Sequence, residues 1–169
     1  MPSPEQIERS DIGSHLRVLS TWVSERTLED VRAHGFDDLG RAHVQLFRQP
    51  SMDGQRPTDV ARTVRITKQS VNELLAHLEH HGYLTRDVDP DDNRARIVRF
   101  TRRGHAAQRA ATDAARDAER ELAKLLGNHR FRRLRADLDE LVRLTEIESL
   151  APAPGYAGVR SSASSAASK

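Results

Sequence analysis

The chain has 169 residues, 37% of them hydrophobic and 31% charged, with a formal net charge of +2 and no cysteine. That is enough for one soluble domain with its own core, alone or with accessory helices. The absent thiols exclude disulfides, thiolate metal sites, cysteine nucleophiles and thiol redox sensing. No apolar run approaches the roughly 20 residues of a membrane helix, and the N-terminal MPSPEQIERSD lacks the apolar core of a signal peptide. A cytoplasmic protein without membrane contact is expected. Charge is unevenly spread: Arg56 to Gly104 carries +3 and the remainder −1, a mild basic bias compatible with nucleic acid. Arg outnumbers Lys by 24 to 3. Arginine is the better phosphate and base-edge reader, although a GC-rich genome accounts for most of that excess.

In chain order, residues 1–10 read as a loose arm. From Asp11 the positions Ile12, Leu16, Leu19, Trp22, Val23, Leu28 and Val31 keep helical spacing to a stop at Gly35. A second helix lies in DDLGRAHVQLFRQP, with Asp37 or Asp38 as cap, a stripe of Leu39, Ala42, His43, Leu46 and Phe47, and Pro50 as terminator. SMDGQ is a turn. PTDVARTV is a short helix opened by Pro57. ITKQSVNELLAHLEHHG follows, with Thr67 as N-cap, Val71, Leu74, Leu75 and Leu78 inward, and Gly82 as terminator.

Two strand-like runs, YLTRDV and ARIVRF, flank the acidic turn DPDDN, in which Pro90, Asp91 and Asp92 favour a tight turn and Asn93 suits its tip. The period of two places Val98 and Phe100 on one face and Arg99 on the other. Thr101 caps a long helix to about Leu126, GN at 127–128 breaks it, and a last helix runs from His129 to about Ser149. The Pro/Ala/Ser-rich 151–169 reads as a disordered tail.

A short helix, a tight turn and a second helix with a polar N-terminal face make a helix-turn-helix, and the hairpin after it makes a wing. Such a helix fits the major groove of DNA. With Val71 to Leu78 inward, the outward residues are Gln69, Glu73, Ala76 and His80, flanked by Ser70, Asn72 and His77. Gln and Asn read adenine and Glu accepts from cytosine, while Lys68 and the free N–H groups after Thr67 suit phosphate. Arg56, Arg65, Arg96 and Arg102 are further candidates for DNA contact. The span from Pro57 to Gly104 resembles the core of MarR-family transcriptional regulators in its order of motifs: ITKQSV, then LEHHGYLTR, then DPDDNR, then VRFTRRG.

The resemblance implies a mostly α fold with a small β-hairpin wing. A winged helix-turn-helix domain (36–104) would sit between dimerisation helices at 11–35 and 105–150. It implies an obligate homodimer on a pseudo-palindromic double-stranded operator, with Arg94 in the minor groove and Asp92 holding or orienting it beside Asn93. It also implies repression relieved by a small-molecule effector. The apolar positions Leu16, Leu19, Trp22, Phe131, Leu134, Leu138 and Leu141 are read as dimer core. One departure from the family pattern is Arg65, where glycine is usual: either the turn differs, or a left-handed arginine is tolerated because it reaches a phosphate.

His77, His80 and His81 have metal-like spacing, but no cysteine or clustered carboxylate completes a site, so they read as a solvated or phosphate-facing row. No metal or cofactor is expected. His43 is either a satisfied core histidine or a hydrogen-bonding group in an effector cleft. Nucleophile-elbow, zinc-protease, P-loop and dinucleotide fingerprints are absent, so no enzyme is expected. A winged-helix adaptor for another protein is the alternative, and the polar recognition face argues against it.

Overall fold

A computed structural model describes residues 11–49 and 52–145. Within them the chain forms helices α1 (Ile12–Ala33), α2 (Arg41–Phe47), α3 (Pro57–Val64) and α4 (Lys68–His80). Strands β1 (Leu84–Asp89) and β2 (Asp92–Phe100) follow, then helices α5 (Arg102–Leu126) and α6 (Asn128–Leu144). The mostly α architecture with a two-stranded wing is as expected. The arm at 1–10, the stop at Pro50, the final turn to Ser149 and the tail at 151–169 lie outside the described residues.

Three of the six helices start at a side-chain cap. Asp11 accepts the N–H of Ser14 at 2.8 Å, Thr67 that of Ser70 at 3.1 Å and Thr101 that of Gly104 at 3.1 Å. Each satisfies a donor the helix itself leaves unpaired. The cap of α2 departs from expectation. Neither Asp37 nor Asp38 fills it; Gly40 does, and its N–H is taken by Nδ1 of His43 at 3.0 Å. Leu39 therefore precedes the helix, though it is fully buried, and Ala42 faces solvent. Asp38 is drawn away because Tyr83 donates its hydroxyl to Asp38 Oδ1 at 2.6 Å.

One core joins these elements. Val31 of α1, Leu46 and Phe47 of α2, Val60 of α3, Val71, Leu75 and Leu78 of α4, Tyr83, and Val98 and Phe100 of β2 are all buried. Ile97 is buried as well, so the alternation read from the strand fails at that residue. The segment before α3 covers the outer edge of β2: Gly54 N donates to Val98 O at 2.7 Å, and Val98 N donates to Gln55 O at 2.8 Å. That pairing blocks the edge at Val98 to another strand.

Helix α1 packs along α5. The buried face of α5 is Ala107, Ala111, Ala114, Ala115 and Ala118. These small side chains let the two backbones approach, and no large apolar residue marks the stripe in the sequence. At the start of α5, Gly104 passes so close to Tyr83 that an added Cβ would lie 2.0 Å from the Tyr83 carbonyl oxygen.

Helix α6 contributes no buried residue. Leu134, Leu141, Val142 and Leu144 on α6, and Ile12, Leu16, Val18 and Leu19 on α1, are exposed apolar side chains. Trp22, Phe131 and Leu138 are half-buried.

Candidate nucleic-acid interface

Helix α3 ends at Arg65 in a left-handed conformation, φ 54°, ψ 40°. Ile66 N reaches back to Ala61 O at 3.2 Å, the bond that closes a helix C-terminus through a left-handed residue. The tight turn of the family pattern is thus made with arginine in place of glycine. Thr67 follows at once as the cap of α4, so α3 and α4 are separated by three residues and pack on each other. That junction aims the N-terminus of α4, with its unpaired N–H groups, outward.

On α4, Lys68, Gln69, Asn72, Glu73, Ala76 and His80 are exposed. Gln69 Nε2 donates to Glu73 Oε1 at 3.0 Å, so these two present a joined donor–acceptor face. Ser70 is half-buried and pairs its hydroxyl with that of Thr67 at 2.9 Å. His77 departs from the outward set. It is half-buried, with Nε2 2.9 Å from the Asp38 carbonyl oxygen and its ring stacked on His43 at 4.2 Å between centroids. At the ninth residue from Lys68 the helix has turned that position toward the loop before α2.

The wing is tighter than the sequence suggests. Asp89 pairs with Asp92, leaving Pro90 and Asp91 alone in the turn. Asn93 and Arg94 fall within β2, at a register shift where Val88 next pairs with Arg96 and residues 93–95 have no β1 partner, and Asn93 needs no positive φ. The residue that shapes the turn is Asp89, which sequence reasoning passed over. Its Oδ1 accepts the N–H of Asp91 at 2.9 Å and its Oδ2 accepts Nε of Arg56 at 2.6 Å. These bonds hold its carboxyl below the usual carboxylate range, the Asp91 N–H first and the Arg56 guanidinium next. The signal was there in the D-P-D pattern, which favours an Asx-type turn.

Asp92 acts on Arg94 through the backbone. Its Oδ1 accepts the Arg94 N–H at 3.1 Å, and its Oδ2 lies 3.8 Å from Arg56. The Arg94 side chain itself is exposed. Among the arginines expected at phosphates, Arg56 is spent on Asp89 and Asp92, whereas Arg102 is exposed at the first position of α5. Arg96 is exposed, and its Nη1 donates to the Ala95 carbonyl oxygen at 3.3 Å.

Arg86, on β1, was also missed. Its Nε sits 3.1 Å from Glu79 Oε2, an ion pair by distance, and its Nη2 donates to the Asn72 carbonyl oxygen at 3.3 Å. It fastens the wing to α4. Arg103 does similar service at the base, donating to the Tyr83 hydroxyl at 2.9 Å and to Asp38 Oδ1 at 3.3 Å.

His43 is half-buried, and it is not in the wall of the cleft between α1 and α2. That cleft, of about 180 Å³, is lined by Ser20, Ser24, Thr27, Arg41, Val44, Gln45 and Arg48. His43 leaves α2 on another side, toward His77. Burial, reinforced by the neighbouring His77, pushes its imidazole down to about 4, so it is neutral at ordinary pH.

Among the described residues no helix is long and apolar enough to cross a membrane. Residues 47–104 match the family described as a winged helix DNA-binding domain. A curated relative, "Uncharacterized HTH-type transcriptional regulator YkoM" of Bacillus subtilis, is 28% identical over 85 residues, 49% of this chain and 53% of that protein. The chain therefore spans about half the length of the curated relative it matches. Among solved structures, apo MarR from E. coli superposes with TM-score 0.67 at 18% identity, covering 79% of this chain and 98% of that one. The S. aureus MepR–DNA complex gives 0.63 at 21%, covering 80% and 99%. The transcriptional repressor CouR, bound to a 23-mer DNA duplex, gives 0.64 at 24%, covering 85% and 99%. These superpositions show that the chain has the fold of those proteins.

Proposed function

We propose that this chain, a winged helix with the fold of MarR-type regulators, is a sequence-specific DNA-binding transcriptional regulator acting as a homodimer. The observation that carries the reading is the pairing of two exposed polar features on one braced unit. The Lys68–Gln69–Asn72–Glu73 face of α4 and Arg94 of the wing belong to elements fastened together by Arg86. In this reading α4 enters the major groove with Gln69, Asn72 and Glu73 at base edges. Lys68, Arg65 and Arg102 contact phosphates and fix the register. Arg94 enters the minor groove, where the potential is most negative.

The exposed apolar residues of α1 and α6 support a two-fold dimer, since a lone chain rarely leaves two such helix faces bare. Two-fold symmetry then sets half-sites one helical turn apart, about 34–36 Å. A dimer lying over promoter DNA acts as a repressor by blocking polymerase. Relief comes from a small molecule that binds the two lobe spacings unequally. The cleft between α1 and α2, with Arg41 and Arg48 in its wall, is the place we assign to it.

The direct test of the interface is Arg94→Ala. Operator affinity falls by about 1–3 kcal/mol, measured by fluorescence anisotropy, while sedimentation shows the dimer intact. Unchanged affinity takes the wing off the DNA.

A further inference from the structure

We propose that Asp38, His77 and His81 form a binding site for a divalent transition-metal ion such as zinc or cobalt. One donor atom from each of the three lies within 4.8 Å of the other two, close enough for small side-chain adjustments to bring all three onto one ion. A carboxylate with two imidazoles suits zinc and its neighbours.

Three further features point the same way. First, the two oxygens of Asp38 are used unequally. Oδ1 takes the Tyr83 hydroxyl at 2.6 Å and Arg103 at 3.3 Å, whereas Oδ2 is buried with no hydrogen-bond partner. A buried carboxylate oxygen without a partner is costly, and a cation satisfies it. Second, His77 and His81 stand one turn apart on one face of the end of α4 and its cap, with rings stacked at 4.1 Å. Third, each imidazole already has one ring nitrogen on a backbone carbonyl, His77 on that of Asp38 at 2.9 Å and His81 on that of His77 at 2.8 Å. Metal-bound histidines characteristically hold their second nitrogen in this way.

The set differs from the one that histidine spacing suggests. His80 is exposed and lies outside the cluster, while Asp38 enters from a loop 39 residues upstream of His77. A bound ion would tie the C-terminal end of α4 to the loop between α1 and α2. Any consequence for DNA rests on the reading of α4 as the recognition helix; the metal site itself does not.

The test uses the full chain, stripped with chelator and titrated with cobalt(II), read by visible absorption and by calorimetry. The wild type binds one equivalent per chain with the intense bands of a low-coordinate nitrogen and oxygen site. Asp38→Asn and His81→Gln lose affinity by at least the roughly 10–100-fold that removal of a supporting group costs. His80→Gln binds as the wild type does. Circular dichroism of each apo variant confirms that the helices persist, and zinc raises the melting temperature of the wild type alone among wild type, Asp38→Asn and His81→Gln. No uptake by the wild type overturns the proposal. So does uptake that survives both ligand substitutions, or that is lost with His80→Gln. None of these readouts involves DNA, so the metal site and the DNA-binding reading stand or fall separately.

Discussion

Asp89 and Arg65 govern the interface without touching a base in the proposed complex. Asp89 is buried, and its folded-state pKa is lowered by the Asp91 N–H and then by Arg56. A carboxyl whose folded pKa is depressed stabilises the fold above its unfolded pKa of about 3.9 and loses that contribution as pH falls through the folded value. The urea midpoint should therefore drop as pH falls below about 4, and Asp89→Asn should flatten the part of that drop due to this residue. An identical pH profile in the variant contradicts the assignment. Arg65 holds a left-handed conformation that costs a residue with a Cβ about 1–2 kcal/mol. Arg65→Gly should raise the unfolding free energy by about 1 kcal/mol, the relieved strain less the entropy glycine adds to the unfolded chain, read as a higher urea midpoint with an unchanged slope. A fall in the midpoint means that contacts of the arginine outweigh the strain. Arg65 stands out in the sequence where glycine is usual, but its geometry is not legible there, because the backbone angle is decided by the closing bond from Ile66 to Ala61 and not by the side chain.

At the scale of elements, legibility followed the strength of local signals. Thr67 and Thr101 were readable as caps because a hydroxyl before a periodic run has one dominant local use. Asp38 was not, since its partner Tyr83 lies 45 residues away and no local pattern shows that bond. The same holds for Arg56 with Asp89 and for Arg86 with Asn72 and Glu79, long-range clamps that fix the wing. The face of α4 was largely visible from its period. His77 fell out of it because tertiary packing, not the helical wheel, decides which way a flanking residue leans. Helix α6 was visible too, but its role depends on what covers it. No residue of α6 is buried within the chain, so Leu134→Asp with Leu141→Asp should spare the chain's own core. Sedimentation should show dimer converted to monomer while helical content near that of the wild type is kept. A dimer that survives places the interface elsewhere.

For the whole molecule, a braced winged helix presents a polar face and an exposed arginine, and long helices with bare apolar faces flank it. Two copies joined through those faces would set two α4 helices against one side of a duplex, and the half-site spacing would then report the dimer geometry directly. The small cleft between α1 and α2 lies where the first long helix meets the braced unit, so a ligand there bears on the relation between them. Selection of the full chain on random-sequence duplexes, followed by a salt titration of the enriched sequence, decides whether the chain reads DNA. The enriched sequence should be an inverted pair of half-sites about 10–10.5 bp apart. Log affinity should fall linearly with log salt, with a slope shallower in Lys68→Ala by about 0.9 for each phosphate contact removed. No enrichment, and no binding to duplex DNA even at low salt, would contradict the DNA-binding reading and leave the winged helix as a docking module for another protein.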